Sequence, residues 1–408
     1  MKNNFKEIGI KKELSDILLK ERIDTPTPIQ EESIPEILEG KDIIGEAQTG
    51  TGKTLAFLLP IVQKINRDKN QVQALIIAPT RELAIQLTDE AKKLGKPLGI
   101  NTLSVYGGQD VFKQLRKLKN GVHIVVATPG RLLDHISRKS INLGHTEFLV
   151  LDEADEILNM GFLIDVERII SSIPKRRQTL MFSATIPKGL KNLAKKYMKS
   201  PETIRVEKER VVLDEIEQII VRTTDREKEA ELVKILREER PFMAIIFCRT
   251  KRRVKELNEK LKDHGFTSDE VHGDLSQNKR ERVMESFRKM EIPVLVATDV
   301  AARGLDIAGV THIINYDIPE NPDAYIHRIG RTGRAGDEGK AYTFVTPKVE
   351  EELRDIEKKI KEELDGKKQK PNRSKSRGKG KGKNYRGKKE RYKGKNYKSN
   401  KKKRGGRR

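Results

Sequence analysis

The sequence predicts two tandem α/β domains, each built on a parallel sheet, followed by a basic tail without a fold. Three observations lead to this prediction. At 408 residues the chain is too long for one ordinary core and suits two domains with an extra segment. Short apolar runs alternate with mixed-charge, helix-length segments in both halves, which favours parallel strands joined by crossover helices. After residue 365 the hydrophobic periodicity ends.

The predicted strands are short apolar runs bounded by Gly, Pro, Thr or Asp. In the first half they are residues 43–45, 74–78, 124–127, 148–152 and 179–182. In the second half they are residues 244–248, 294–297 and 312–316, separated by charged helical stretches such as 226–240 and 277–289. A polar stretch without clear periodicity lies between the halves. We therefore expect domain 1 over residues 1–206, a linker over 207–213, domain 2 over 214–365 and the tail over 366–408.

The charge of the chain is concentrated in the tail. Residues 366–408 hold 22 Lys and Arg against one acid, Glu390, whereas residues 1–365 hold 62 bases and 60 acids. Such a composition cannot bury enough apolar surface to offset the entropy lost on ordering, which predicts disorder. The charge favours sequence-independent contacts with nucleic-acid phosphates, and Tyr385, Tyr392 and Tyr397 are available to stack on bases. The alternative is a solubilising tail with nonspecific affinity.

Cysteine content and apolar runs indicate the cellular compartment. Cys248 is the single cysteine, so the chain cannot form an intrachain disulfide, and this low usage fits a reducing compartment. The N-terminus lacks the apolar stretch of a signal peptide, and no run of about 18 apolar residues could span a bilayer. We expect a cytoplasmic protein without a membrane partner.

The segment AQTGTGKT, residues 47–54, lies between a predicted strand and a predicted helix, which is the context of a phosphate-binding P-loop. Its glycines let backbone N–H groups approach the phosphates, and the helix N-terminus adds its dipole. Lys53 would supply a charge to the β and γ phosphates, and the Thr54 hydroxyl would bind Mg²⁺. Ala47 stands where the first glycine of the motif is usual. The predicted ATP-binding residues here are Ala47, Gln48, Thr49, Gly50, Thr51, Gly52, Lys53 and Thr54.

A second motif, DEAD, follows the predicted strand that begins at residue 148. Its carboxylates would be delivered to the carboxyl edge of the sheet, where ligands of α/β proteins bind. Asp152 can hold Mg²⁺, and Glu153 can orient the attacking water or accept its proton. The alternative is an acidic first turn that only stabilises its helix.

With these motifs in this order, the chain resembles the DEAD-box RNA helicases over residues 5–346 and is similar to compact bacterial members of that family. The resemblance implies RecA-like domains with ATP and Mg²⁺ as cofactors. It implies that Gln30, at the end of TPTPIQ, and Phe5 read the adenine base, and that Asp306 approaches the ribose. The residues that would couple the state of the ATP to unwinding are Asp155, Ser183, Ala184, Thr185 and His327.

The same resemblance assigns an RNA-binding role to motifs of both halves. In the first half these are PTRELA, a Gly-Gly pair and TPGR, where glycines and helix starts offer backbone donors to phosphates and arginines offer charge. In the second half they are IIFCRT, HGD, a Gln and an Arg three residues apart, and TDVAARGLDI. The implied RNA-binding residues are Pro79, Thr80, Arg81, Gly107, Gly108, Thr128, Pro129, Gly130, Arg131, Arg249, Thr250, Gly273, Gln277, Arg280 and Thr298.

The segment HRIGRTGR places Arg331 and Arg334 where the family has its arginine fingers. The predicted catalytic residues, Lys53, Asp152, Glu153, Arg331 and Arg334, therefore come from both halves, so the complete site would exist only when the halves close on each other. An arginine finger is worth about 10³ to 10⁵ in rate. The predicted activity is RNA-stimulated ATP hydrolysis that locally unwinds short duplexes and remodels RNA or RNA–protein complexes.

Two alternatives remain open from the sequence. The first keeps the ATPase but makes the substrate DNA, because physical chemistry alone does not distinguish RNA from DNA in these motifs. The second is an ATP-gated RNA clamp or annealing chaperone in which the tail dominates. The expected partner is single-stranded or short duplex RNA without sequence preference. Ribosomal particles, RNA-decay proteins and a cold response are family expectations that the sequence does not separate.

Overall fold

The computed structural model describes residues 4–47, 50–108, 121–206, 216–302, 309–319, 321–333 and 339–365. Both of its sheets belong to one unit that ends at Lys361, and of the second unit, Glu362–Arg408, the description covers residues 362–365. The predicted linker and tail lie outside the described residues, as do four of the predicted site residues, Gln48, Thr49, Asp306 and Arg334. The predicted domain boundaries therefore stay predictions.

Domain 1 alternates strands and helices along the chain. The helix that begins at Pro28 is preceded by Thr27, whose backbone N–H donates to the side chain of Gln30 in the first turn, as in a capping box. The elements of domain 1 are α1 (Lys12–Lys20), α2 (Pro28–Leu38), β1 (Ile43–Glu46), α3 (Lys53–Lys64), β2 (Ala74–Ile77), α4 (Arg81–Gly95), β3 (Thr102–Val105), β4 (Ile124–Ala127), α5 (Pro129–Ser137), β5 (Phe148–Leu151), α6 (Ala154–Asn159), α7 (Leu163–Ser171), β6 (Gln178–Ser183), α8 (Lys188–Tyr197) and β7 (Glu202–Arg205).

Domain 2 repeats this alternation. Several of its helices begin at a residue whose side chain accepts a hydrogen bond from the first turn, such as Thr250, Ser276 and Asn321. Its elements are β8 (Ile216–Arg222), α9 (Lys228–Glu239), β9 (Ala244–Phe247), α10 (Lys251–Asp263), β10 (Ser268–Val271), α11 (Gln277–Arg288), β11 (Val294–Ala297), α12 (Asp299–Ala302), β12 (His312–Asn315), α13 (Pro322–Ile329), β13 (Gly339–Val345) and α14 (Glu350–Asp365).

The two sheets share one strand order. The seven-stranded sheet of domain 1 runs β3-β4-β2-β5-β6-β1-β7, and the six-stranded sheet of domain 2 runs β10-β11-β9-β12-β13-β8. When each domain is numbered from its own first strand, both read 3-4-2-5-6-1, and β7 is an addition at the edge of domain 1. All the strand pairings are parallel. The predicted fold class is confirmed, and the carboxyl ends of the strands in each sheet meet at one edge.

Apolar layers cover both faces of each sheet, because successive side chains of a strand point to opposite faces. In β2, Ala74 and Ile76 face one core cluster of domain 1, while Leu75 and Ile77 face the other. In β9, Phe247 and Ile246 divide in the same way between two clusters of domain 2. The single cysteine, at residue 248 directly after β9, is fully buried in one of these clusters. Within the described ranges, every helix is too short or too polar to cross a membrane.

The eight predicted strands are all present, with ends that differ by at most one residue from the prediction. Five strands were not predicted, namely β3, β7, β8, β10 and β13. Four of these are the outer strands of the two sheets. Sequence patterns therefore identified every inner strand of the two sheets except β13.

Candidate functional site

The phosphate-loop sequence connects β1 to α3. Lys53, the first residue of α3, is 7% exposed, and its Nζ donates a hydrogen bond to the carbonyl oxygen of Ala47 at 2.8 Å. Gly50 and Gly52 have φ angles of 83° and 91°, in the left-handed region that favours glycine. The described part of the loop thus has a tight turn, and the ammonium group of Lys53 is fixed by a hydrogen bond at the start of a helix. Its other two described residues, Thr51 and Thr54, are half-buried.

Gln30 ties α2 to this loop. Its Oε1 accepts a hydrogen bond from the backbone N–H of Thr27 at 2.9 Å, and its Nε2 donates to the carbonyl oxygen of Gly52 at 2.9 Å. A Cβ on Gly52 would lie 2.4 Å from that Nε2, so the contact requires glycine. Phe5 is 2% exposed and packs in the core of domain 1. Of the two residues predicted to read adenine, Gln30 therefore contacts the loop directly, whereas most of the Phe5 ring is inside the core.

Two carboxylates follow β5 at the carboxyl edge of the sheet. Asp152 and Glu153 are 3% and 9% exposed. Burial raises the pKa of Asp152 to about 7, although the charge of Lys53 opposes that rise. Burial also raises the pKa of Glu153, against the opposing charges of Arg331 and Lys53. Glu153 has a left-handed backbone, with φ of 46°, which is costly for a residue other than glycine and is typical of functional sites.

Asp155 links this edge to the end of β6. Its backbone N–H donates to Ser183 Oγ at 3.0 Å, and its Oδ2 accepts from both the N–H and the Oγ1 of Thr185 at 2.9 Å. Ala184 lies between these two residues and lines the cleft next to the carboxylates. Of the residues predicted to couple the two activities, Ser183 and Thr185 are thus bonded to Asp155 of the acidic motif within domain 1.

A cleft lies between these groups and domain 2 and is lined from the two sides by Lys53, Glu153, His327 and Arg331, among others. His327 Nδ1 lies 3.1 Å from Glu156 Oε1, which joins α13 to α6. Arg331 is 8% exposed, and its Nε donates to the carbonyl oxygen of His327 at 3.1 Å. The structure therefore brings the predicted catalytic residues Lys53, Glu153 and Arg331 to one cleft.

Arg328, between these two residues, has a different environment. Its guanidinium makes a two-pronged ion pair with Asp299, with N–O distances of 2.5 and 2.6 Å. It also donates to Asn315 Oδ1 at 3.0 Å and to the carbonyl oxygen of Asp317 at 2.6 Å, and it lies 4.9 Å from the centre of the Phe247 ring. With its side chain 3% exposed, this arginine holds domain 2 together.

A second set of contacts joins the domains at the predicted RNA-binding motifs. Arg81 Nη1 donates to Gln277 Oε1 at 3.3 Å. Arg280 forms an ion pair with Glu82, with 2.8 Å between Nε and Oε1, and both side chains are at most 10% exposed. Arg280 also donates to the carbonyl oxygen of Ala301 at 3.0 Å. Three of the predicted RNA-binding residues therefore contact residues of the domain interface.

The other predicted RNA-binding residues lie after the carboxyl ends of strands. Thr80 caps α4 by accepting from Leu83 N–H at 3.3 Å, and Thr250 caps α10 by accepting from Arg253 N–H at 3.2 Å. Such helix starts present backbone donors to phosphates. Also at these ends are Pro79, Gly107, Gly108, Thr128, Pro129, Gly130, Arg131, Arg249, Gly273 and Thr298.

Four interface residues carried no predicted role: Glu82, Tyr106, Glu156 and Glu281. Each lies within or directly beside a motif that the sequence did identify. Their partners are 171 to 198 residues away along the chain. Only the position of these residues beside motifs could have drawn attention to them.

Models of known families match both domains. Residues 27–193 match the DEAD/DEAH box helicase family, and residues 227–336 match the helicase conserved C-terminal domain. The ATP-dependent RNA helicase CshA of Listeria monocytogenes is 51% identical over 360 residues, which are 88% of this chain and 69% of the Listeria protein.

Solved structures with this fold include Saccharomyces cerevisiae Dbp5 bound to RNA and ADP–BeF3. It is 32% identical, with a TM-score of 0.81 over 89% of this chain and 94% of that one. A Dbp5 variant in the same kind of complex also gives 0.81, at 31% identity over 90% and 98% of the two chains. A Dbp5 variant bound to Nup159, Gle1, IP6 and ADP gives 0.61, at 32% identity over 86% and 93%.

Proposed function

Because the chain belongs to the DEAD-box family of ATP-dependent RNA helicases, we propose that it binds single-stranded RNA across both domains and locally unwinds short RNA duplexes. The proposed activity is RNA-stimulated ATP hydrolysis that remodels RNA or RNA–protein complexes. The observation that carries this proposal is the cleft in which Glu153 of domain 1 faces Arg331 of domain 2. Hydrolysis would then depend on closure, and RNA would stimulate it by favouring closure.

The proposed ATP site combines the phosphate loop with both domains. The backbone of the loop and Lys53 would hold the phosphates, Gln30 and Phe5 would contact adenine, and Asp306 would contact the ribose. Glu153 would orient the attacking water and accept its proton. Arg331, with Arg334, would stabilise the charge that develops on the transferred phosphate.

The donor atoms near the phosphate loop fit Mg²⁺. Thr54 and Asp152 offer the hard oxygen ligands that Mg²⁺ takes, and the charge of the ion would offset the burial that raises the pKa of Asp152. No group of three or more His, Cys, Asp or Glu side chains among the described residues could hold a metal alone. Phosphate oxygens and water would complete the coordination, and the ion would neutralise charge on the phosphates.

The arrangement of the domains supports an RNA-bound state. The fold is more similar to Dbp5 bound to RNA and ADP–BeF3 than to the Dbp5 variant bound to Nup159, Gle1, IP6 and ADP, at the same sequence identity. Because the sequence identity is equal, we attribute the difference in TM-score to the arrangement of the two domains. RNA would bind through its phosphates, without sequence preference, at the loops after the strands. The tail would add further phosphate contacts, and ribosomal particles or RNA-decay proteins are proposed partners in a cytoplasmic setting.

The test is the ATPase rate of the full chain alone, with single-stranded RNA, and with DNA of the same sequence. We expect strong stimulation by RNA only. Equal stimulation by DNA would favour a DNA translocase, and no stimulation by either would favour an ATP-gated clamp or annealing chaperone.

A Glu153→Gln variant sharpens this test. It keeps the size of the side chain and removes the base, so we expect ATP and RNA binding to persist while turnover falls by about 10² to 10⁴. Binding is measured by titration and turnover in a single-turnover assay. Undiminished hydrolysis by this variant would disprove the role assigned to Glu153.

A further inference from the structure

One carboxylate oxygen on α11 receives hydrogen bonds from both domains. Tyr106, directly after β3 in domain 1, donates from its hydroxyl to Glu281 Oε1 at 3.3 Å. Gln277, four residues before Glu281 on the same helix, donates from Nε2 to the same oxygen at 2.9 Å. Glu281 therefore holds the side chain of Gln277 and, at the same time, the end of β3.

These contacts continue to the loop predicted to bind RNA. Gly107 and Gly108 follow Tyr106, and a Cβ on either would lie 2.9 to 3.0 Å from a guanidinium nitrogen of Arg81. Arg81 in turn donates to Gln277 Oε1. The loop and its tyrosine thus lie against the arginine, and the hydrogen bonds pass from Arg81 to Gln277, to Glu281 and back to Tyr106. We call these four side chains the polar latch.

The position of the Tyr106 hydroxyl depends on the position of this loop. Only 3% of the residue is exposed, so its ring is held by the core and its hydroxyl has little freedom to move. Burial, together with the charge of Glu281, raises its pKa above the usual value, so the hydroxyl remains a donor. A hydrogen bond to a charged group contributes more than one between neutral groups.

We propose that Tyr106 and Glu281 are positioning residues that couple RNA on the Gly107–Gly108 loop to closure of the two domains. RNA that fixes this loop would fix the Tyr106 hydroxyl where Glu281 can accept its bond, and Glu281 would then hold Gln277 toward Arg81. Neither residue is among those that line the cleft of Lys53, Glu153 and Arg331. The inference rests on the proposed function, since it assumes that RNA and ATP favour the closed arrangement together.

The experiment compares RNA affinity with and without ADP–BeF3 for the full chain and for Tyr106→Phe, Glu281→Ala and the double variant. The ratio of the two affinities measures coupling between nucleotide and RNA. We expect each single variant to lower the ratio by about 10-fold, mostly through weaker binding in the presence of ADP–BeF3. The double variant should lose no more than Glu281→Ala does, because Glu281→Ala already removes the hydrogen bond that Tyr106→Phe breaks. Glu281→Gln keeps an acceptor and should restore part of the ratio.

A matched control lies inside domain 2. Tyr342 donates from its hydroxyl to Glu239 Oε1 at 2.7 Å, so Tyr342→Phe also breaks a bond between a buried tyrosine and a glutamate, but within one domain. We expect this variant to leave the ratio unchanged.

The outcomes separate the latch from the proposed function. If ADP–BeF3 does not strengthen RNA binding by the unmodified chain, the proposed function fails. If it does, but Tyr106→Phe behaves like Tyr342→Phe, or the losses of the two single variants add in the double variant, the polar latch is wrong.

Discussion

The two domains have one strand order, but the buried charges that they bring to their interface are mainly of opposite sign. Domain 1 presents buried carboxylates, Glu82, Glu153 and Glu156, at the carboxyl edge of its sheet, whereas domain 2 presents Arg280 and Arg331. Burying a charge is costly unless an opposite charge lies close to it. One architecture, used twice, thus gives two halves in which Glu82 and Glu153 of domain 1 each meet an arginine of domain 2.

The largest expected effect comes from removing the guanidinium that domain 2 brings to the cleft. We expect Arg331→Ala to lower the rate of ATP hydrolysis by about 10³ or more, because the charge on the transferred phosphate loses its partner. Binding of ATP should change little, since the phosphate loop lies in domain 1. Single-turnover hydrolysis and nucleotide titration measure the two effects.

Arg331→Lys is the conservative control and should recover only a small part of the rate, because an ammonium lacks the planar pair of donors. A rate for Arg331→Ala within tenfold of the unmodified chain would mean that domain 1 hydrolyses ATP by itself.

The next effect concerns the ion pair between Glu82 and Arg280. We expect Glu82→Gln to lower the equilibrium constant for domain closure by at least about 10-fold. The reason is that Arg280 is then buried without the carboxylate of Glu82 beside it. Replacing both residues by Met should cost less than either single change, since an apolar pair has no desolvation cost. Energy transfer between labels on the two domains, in the presence of RNA and ADP–BeF3, measures closure.

Glu90→Gln on the same helix is the control, since Glu90 pairs with Lys93 at the surface and faces no residue of domain 2 in any described contact. Equal losses for Glu82→Gln and Glu90→Gln would contradict a role for charge at the interface.

Replacing Arg328 tests whether this arginine, unlike Arg280 and Arg331 at the interface, stabilises the fold of domain 2. We expect Arg328→Met to lower the free energy of unfolding of domain 2 by about 3 to 5 kcal/mol, since it leaves the Asp299 carboxylate without its main partner. Denaturant unfolding of the full chain should show one transition shifted and the other unchanged. Arg252→Met is the control, because Arg252 is 87% exposed and its surface pair is worth about 1 kcal/mol or less. A single transition that shifts as a whole would mean that the domains unfold together.

The smallest expected effect is a difference in the response of the domains to acid. Burial lowers the pKa of His272 and His312 in domain 2 and of His135 in domain 1, so these residues stabilise the folded state above pH about 6.5, the unfolded value, and this stability is lost as the pH falls. Burial raises the pKa of Asp152 to about 7 in domain 1, so its protonation stabilises the folded state as the pH falls from about 7 toward 4.

A group can bind one more proton in the unfolded state than in the folded state, or one fewer. Between pH 6.5 and 5.5, each such group changes the free energy of unfolding by at most about 1.4 kcal/mol. Melting curves at several pH values should therefore show the transition of domain 2 moving down further than that of domain 1. Parallel movement of the two transitions would contradict these assignments.

The sequence predicted the inner strands better than the outer strands, for a physical reason. A central strand is covered on both faces and reads as a continuous apolar run, as in β5 and β11. An outer strand has one edge open to solvent, and β7 and β10 carry charged residues accordingly. That is why four of the five unpredicted strands lie at the edges of the sheets.

The motifs predicted which residues approach the site but not how they pair. Lys53, Glu153 and Arg331 meet in one cleft, as expected. Arg280 pairs with Glu82 across the interface, and Arg328 pairs with Asp299 inside domain 2. These pairings depend on how distant segments are placed in space, and no sequence pattern predicts that placement. Local chemistry is readable from the sequence, whereas side-chain partners across an interface require coordinates.

The buried thiol at the end of β9 has a practical consequence. It is the only cysteine of the chain, and its burial raises its pKa and keeps it from reagents that attack thiolates. Cysteines introduced at exposed places, such as Lys175 in domain 1 and Phe242 in domain 2, could therefore carry a donor and an acceptor dye with little labelling elsewhere. Domain closure could therefore be followed by energy transfer in single molecules without first removing a native cysteine.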